Sequence, residues 1–180
     1  MKVIYRKYLK WSSLKDKVVL YTGEGPVGKT LAAVIQLVEE KDKRPIVSNA
    51  TLNLPNSKKL RMGKLLQYRN KRIFIDTAEI VLNSKRPSTR RGLLFTSFLA
   101  VHRKLGHQLT LASPNMNYLD IRVRNSIEVI LQPYFYKDKN GVPKLQLKRI
   151  NLQKQEATIY LPINCRKYFK YFDTKECIRP

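Results

Sequence analysis

Apolar residues follow one pattern up to residue 112 and another beyond it. The apolar run Val18-Val19-Leu20-Tyr21 begins a strand over about 18–22, Arg44-Pro45-Ile46-Val47-Ser48 is a short second strand, and Arg72-Ile73-Phe74-Ile75-Asp76 is an apolar run closing on a carboxylate, as a central parallel strand should. The same reading covers Gln108 to Ala112, ended by Ser113-Pro114-Asn115. Between these runs the spacing turns helical. Leu31, Val34, Ile35 and Val38 share one face of a helix ending about Lys41, and Leu94, Phe95, Phe98, Leu99 and Val101 mark another from about Gly92 to Leu105, with Gly106 as its stop. Leu60 to Tyr68 is a weaker helix, and Asn49 to Ser57 reads as loop. From Ser126 onward the pattern is β-rich. Stretches 127–136 and 144–150 flank Lys137-Asp138-Lys139-Asn140-Gly141, a hairpin signal, and a further strand runs from Ala157 to Ile163.

Strands alternating with helices, then hairpins, predict an α/β fold: a mostly parallel sheet flanked by helices and extended by a C-terminal antiparallel hairpin. The 180 residues suit one domain, 1–180. Within it, 1–17 form a basic, aromatic lead-in expected beside the first strand, 126–163 a β-rich extension and 164–180 a tail. No window is long and apolar enough to span a membrane, and the start lacks a signal-peptide core, so a soluble protein of the cytoplasm is expected.

The first strand delivers the chain into Gly23-Glu24-Gly25-Pro26-Val27-Gly28-Lys29-Thr30, and the first helix leaves it at Leu31. This is a complete G-x-x-x-x-G-K-[ST] phosphate loop in the strand–loop–helix context that gives the motif its chemistry. Amides of the loop and first helical turn converge on phosphates, Lys29 reaches the β and γ phosphates, and the Thr30 hydroxyl is placed for Mg²⁺. The fold expected is therefore a P-loop NTPase of RecA/ASCE-like type, with ATP and Mg²⁺ as ligands. Asp76 closes the third apolar run, where an acidic residue would complete the Mg²⁺ site with Thr30. Glu79 either orients the attacking water or forms a capping pair with Asp76.

Charge adds a partner. Thirty-six Lys and Arg oppose thirteen Asp and Glu, a net charge of +23 that calls for a polyanion such as nucleic acid. Arg86, Arg90 and Arg91 on the loop 83–91 are one candidate DNA surface; the hairpin residues Lys137, Lys139, Lys144, Lys148 and Arg149 are a second. Cys165 and Cys177 lack zinc spacing and read as two ordinary thiols, with a disulfide tying down the tail as the alternative. GTPase chemistry is excluded, because Asp76-Thr77-Ala78-Glu79 has no glycine and Asn70-Lys71-Arg72-Ile73 lacks a guanine-reading aspartate. No transporter signature Leu-Ser-Gly-Gly-Gln occurs. A small-molecule phosphotransferase stays open, with the arginine loop as a lid.

The ordered segments Tyr21 to Thr30, Arg44 to Asn49, Ile73 to Glu79, Arg103 to His107, Leu109 to Pro114 and Leu119 to Asn125 resemble the FtsK–HerA superfamily of DNA-pumping ATPases, as does the tail Tyr171 to Glu176. The resemblance is to the genome-packaging ATPases of archaeal viruses and the zonula-occludens-toxin-like proteins of filamentous phages. It implies an ATP-hydrolysing DNA translocase that assembles as a ring, with Arg122 or Arg124 entering a neighbour's site as a finger. Two positions depart from that pattern. Thr77 stands where a catalytic glutamate follows the aspartate, and Ser113 where a glutamine senses the γ phosphate. Both favour an alternative, a morphogenesis or DNA-binding factor that uses its nucleotide site as a switch.

Overall fold

A computed structural model describes residues 1–6, 8–82 and 90–173, except the side chains of Arg90 and Arg91. Among these residues ten strands form one sheet. In chain order they are β1 (Lys2–Arg6), β2 (Val18–Thr22), β3 (Ile46–Ser48), β4 (Ser57–Lys59), β5 (Arg72–Ile75), β6 (Gln108–Ser113), β7 (Val129–Lys137), β8 (Pro143–Asn151), β9 (Glu156–Tyr160) and β10 (Ile163–Asn164). Among the described residues four α-helices accompany them: α1 (Lys29–Glu39), α2 (Ala78–Val81), α3 (Arg90–Val101) and α4 (Ile121–Ser126). The strand order is β1-β9-β8-β7-β2-β6-β5-β3-β4, with β10 paired to β8. Strands β7, β2, β6, β5, β3 and β4 run parallel, and β8 is antiparallel to both of its long neighbours.

Every residue of β2, β5 and β6 is buried, because helices cover both faces of the parallel block. Alternation sends Val19 and Tyr21 to the α1 side, where Leu31, Val34, Ile35, Phe74, Leu131 and Leu145 join them. It sends Val18 and Leu20 to the other side, with Ile73, Ile75, Leu109, Leu111, Phe95, Phe98 and Val123. The α/β reading with a mostly parallel sheet and a hairpin extension is therefore correct.

Some expectations need correction. Segment Asn49 to Ser57 is not wholly loop, since Ser57 opens the short edge strand β4 on β3. The lead-in does not lie beside the first strand as a unit: β1 pairs with β9 at the far edge, whereas Leu9, Trp11 and Leu14 join the core cluster that contains Val19. Its pattern of exposed positions suits an edge. Leu60 to Tyr68 forms a 3₁₀ turn over Met62–Gln67, with Leu65 buried. The strand expected over 157–163 breaks at Leu161-Pro162, as a residue without an N–H dictates. Helix α3 begins at Arg90, so Arg90 and Arg91 belong to its first turn and not to the preceding loop. Arg86, the rest of that loop, Cys177 and the end of the tail lie outside the described residues. Cys165 is a buried free thiol.

Candidate nucleotide site

The carboxyl ends of β2, β6, β5 and β3 lie side by side, and each hands one polar group to the same edge of the sheet. Strand β6 sits between β2 and β5, so the loop after Thr22 and the carboxylate after Ile75 are separated by one strand. That order is the one a RecA/ASCE-like sheet requires.

Gly28 shows why the loop needs glycine. It holds φ at 89° and caps α1, its carbonyl accepting from Ala32 N at 2.9 Å. A Cβ there would stand 2.9 Å from Leu145 Cδ1 and 3.2 Å from Phe135 Cβ, so both the backbone and the packing exclude a side chain. Gly23, at φ 149°, is pinned by its amide, which donates to Pro114 O at 3.0 Å. Glu24, Gly25 and Pro26 are exposed, Val27 is half-buried, and Leu31 anchors the first helical turn in the core.

Lys29 arches over the loop, its Nζ donating to Gly23 O and Gly25 O at 2.8 Å each. Burial lowers its pKa, while Asp76 and Glu79 act in the opposite direction. Thr30 Oγ1 donates to Asp76 Oδ2 at 2.9 Å, which joins the first turn of α1 to the end of β5. Burial raises the Asp76 pKa; the bonds from Thr30 and the Thr77 amide oppose this, and the Glu79 charge adds to it.

Asn49 is a residue the sequence reading left without a role. Its Nδ2 donates to Asp76 O at 2.8 Å and its Oδ1 accepts from Asp76 N at 2.7 Å. This clamp fixes the backbone that carries the carboxylate. The only sequence signal for it is an amide side chain directly after the short strand that Ser48 ends. Its meaning depends on β3 lying beside β5, which the pattern does not reveal.

Thr77 takes φ 48°, an unfavourable region for a β-branched residue. Its amide and hydroxyl bond back to Asp76, at 3.1 Å to Oδ1 and 2.8 Å to the carbonyl. The hydroxyl is thus turned away from a catalytic task. Glu79 lies in the first turn of α2, and its Oε2 is buried without a hydrogen-bond partner. No bond between Glu79 and Asp76 of the capping kind is present among the described contacts. Ser113 ends β6 opposite Thr22, and its hydroxyl donates to Asn115 O at 3.1 Å.

Asp120 caps α4, accepting from Arg122 N, and holds the Arg122 guanidinium through Nε and Nη2, each bond 2.9 Å. The Arg122 pairing keeps the Asp120 carboxyl below the usual range. Arg124 reaches Asn117 Oδ1 at 3.4 Å, and its Nε is buried without a partner. Lys137 and Lys139 are exposed at the hairpin turn. Lys144, 3.6 Å from Asp138, and Lys148 share one face of β8, whereas Arg149 faces the other.

Donor chemistry matches the expected ligands. Thr30 and Asp76 offer hard oxygens 2.9 Å apart at a helix N-terminus, beside a lysine and bare loop amides. Mg²⁺ takes such a pair together with phosphate and water oxygens. Among the described residues no cluster of three or more His, Cys, Asp or Glu could hold a metal alone.

This loop, strand order and acidic strand end define the fold of the P-loop NTPases. No family model matches the sequence, and no curated protein matches it. Solved structures do. The N-terminal domain of zonular occludens toxin from Neisseria meningitidis superposes with a TM-score of 0.66 at 14% identity, over 88% of this chain and 100% of that one. B204, the DNA-packaging ATPase from Sulfolobus turreted icosahedral virus, gives 0.57 at 14% over 83% and 98%. The pCW3 conjugation coupling protein TcpA, solved with ATPγS, gives 0.57 at 11% over 92% and 65%. At these identities the likeness is one of fold, that of P-loop ATPases. No described helix is long and apolar enough to cross a membrane.

Proposed function

We propose that the chain is an ATP-driven DNA translocase subunit, one P-loop ATPase domain that works in a ring as a packaging-type motor in the cytoplasm of a cell or host. The observation that carries the nucleotide half is the Thr30–Asp76 bond beside Lys29. The +23 charge, together with the DNA-packaging and conjugation proteins that share the fold, supports the DNA half.

Amides of Glu24, Gly25 and Val27 to Thr30 bind the phosphates, while that of Gly23 stays on Pro114 O, and Lys29 exchanges two carbonyls for the β and γ oxygens. Thr30 and Asp76 would hold Mg²⁺, which when bound would supply positive charge to the phosphate oxygens. Asn49 keeps Asp76 in place. Glu79, with one carboxylate oxygen unbonded, orients the water and takes its proton. Arg124 is the better finger, because Arg122 is already held by Asp120; a guanidinium from a neighbouring subunit is worth roughly 10³-fold or more in rate.

A second reading is a nucleotide-dependent switch with little turnover. Thr77 and Ser113 favour it, since both hydroxyls are spent on local carbonyls. Steady-state ATP hydrolysis with and without DNA separates the readings. The motor predicts turnover stimulated by DNA and abolished by Lys29→Ala and by Glu79→Gln; tight binding without turnover contradicts it in favour of the switch. Consumption only with a small acceptor would instead mark a phosphotransferase.

A further inference from the structure

The second face of the β7–β8–β9–β1 extension lies beyond the apolar cluster of α2, α3 and α4, which reaches Ile127 and includes no residue of these strands. The register places four cross-strand rows on this face. Ile130, Ile150, Ala157 and Val3 form the first, and Gln132, Lys148, Ile159 and Tyr5 the second. Tyr134 opposite Gln146 and Tyr136 opposite Lys144 continue toward the hairpin tip. No Asp or Glu stands in any row. The Tyr134 and Tyr136 rings lie 5.6 Å apart with planes tilted by 32°, and Tyr134 is 61% exposed and Tyr5 77%.

Large aromatic rings left in water on strand rows without a carboxylate, interleaved with amide side chains and with Lys148 and Lys144, the latter also 3.6 Å from Asp138 of the hairpin turn, combine two functions. The rings offer flat surfaces for stacking, and the ammonium groups offer counter-charge for a phosphate backbone. A duplex presents phosphates but keeps its bases stacked inside, so it would leave the tyrosines unused. From these rows we propose that this face binds unpaired nucleic acid, with bases on Tyr134, Tyr136 and Tyr5 and phosphates on Lys144 and Lys148. The proposal rests on the DNA-acting reading above and specifies the strand state it takes. The opposite face of the same hairpin, through Phe135 and Leu145, abuts Gly28 of the phosphate loop. One two-stranded element thus touches both sites.

The test is fluorescence anisotropy with a labelled oligothymidylate and a duplex of equal length, at fixed salt. The wild-type chain should bind the single strand more tightly. Tyr134→Ala with Tyr136→Ala should weaken that binding by about tenfold or more and leave duplex binding unchanged, while Tyr134→Phe with Tyr136→Phe retains it. ATPγS binding by the alanine variant reports that the fold is intact. Single-strand binding indifferent to the alanine substitutions, with duplex bound equally well, overturns this proposal and leaves the DNA reading standing. No nucleic-acid binding by any form removes both. A change in particle mass on light scattering, with single-strand binding kept, would assign the face to contacts between protomers and also overturn it.

Discussion

Asp76 carries a conflict between stability and chemistry at the scale of one residue. Burial raises its pKa above the ordinary carboxylate value of 3.8, so the folded chain holds that proton more tightly than the unfolded chain does. Stability therefore falls as pH rises from 3.8 through the raised value, and at neutral pH the ionised carboxylate costs stability. Asp76→Asn keeps an acceptor for Thr30 Oγ1 without the charge. The variant should unfold at a higher urea concentration than wild type at pH 7, lose that advantage near pH 3.5, and hydrolyse no ATP. Equal midpoints at pH 7 would show that the site does not destabilise its carboxylate. The phosphate loop and Asp76 were legible because glycines, Lys-Thr and a strand-ending acid are local signals. Asn49 was not, since it acts across two strands 27 residues apart in sequence.

At the scale of elements, α1 and β5 are tied at both ends. Thr30 and Asp76 join them at the site, and Arg72 joins them at the far end. Arg72 donates to Leu37 O at 2.7 Å, where α1 ends, and pairs with Glu40 at 2.9 Å; both side chains are almost fully buried. Gln108 adds bonds to Glu40 from β6. Such a pair resists removal of one partner more than of both, because a lone buried charge has nothing to offset its lost hydration. Glu40→Ala should cost about 3–5 kcal/mol in urea unfolding, and Glu40→Ala with Arg72→Met should recover part of that loss. A double variant worse than the single would contradict the account. Apolar runs revealed these strands, but nothing in the run at Arg72 marks its guanidinium as interior; only the pairing with α1 makes it so. The split of 157–163 and the placement of β1 were hidden for a related reason. An edge strand has no buried pattern to announce its neighbour, and β1 meets β9 only after about 150 intervening residues.

The whole molecule places the candidate nucleotide site on one edge of a continuous sheet and a tyrosine- and lysine-bearing face beside it. The alternation of strands and helices made the parallel block readable, because helices covering both faces force continuous apolar runs. The open face was less readable, since exposed tyrosines and lysines in a hairpin carry no period that distinguishes a binding surface from a solvated one. Both parts of the account depend on triphosphate binding at the loop. Calorimetric titration of ATPγS in millimolar Mg²⁺ tests this most directly. The account predicts saturable heat at one site per chain, lost in Lys29→Ala and much weakened when Mg²⁺ is withdrawn. No heat from the wild-type chain, or heat unaffected by Lys29→Ala, would contradict it.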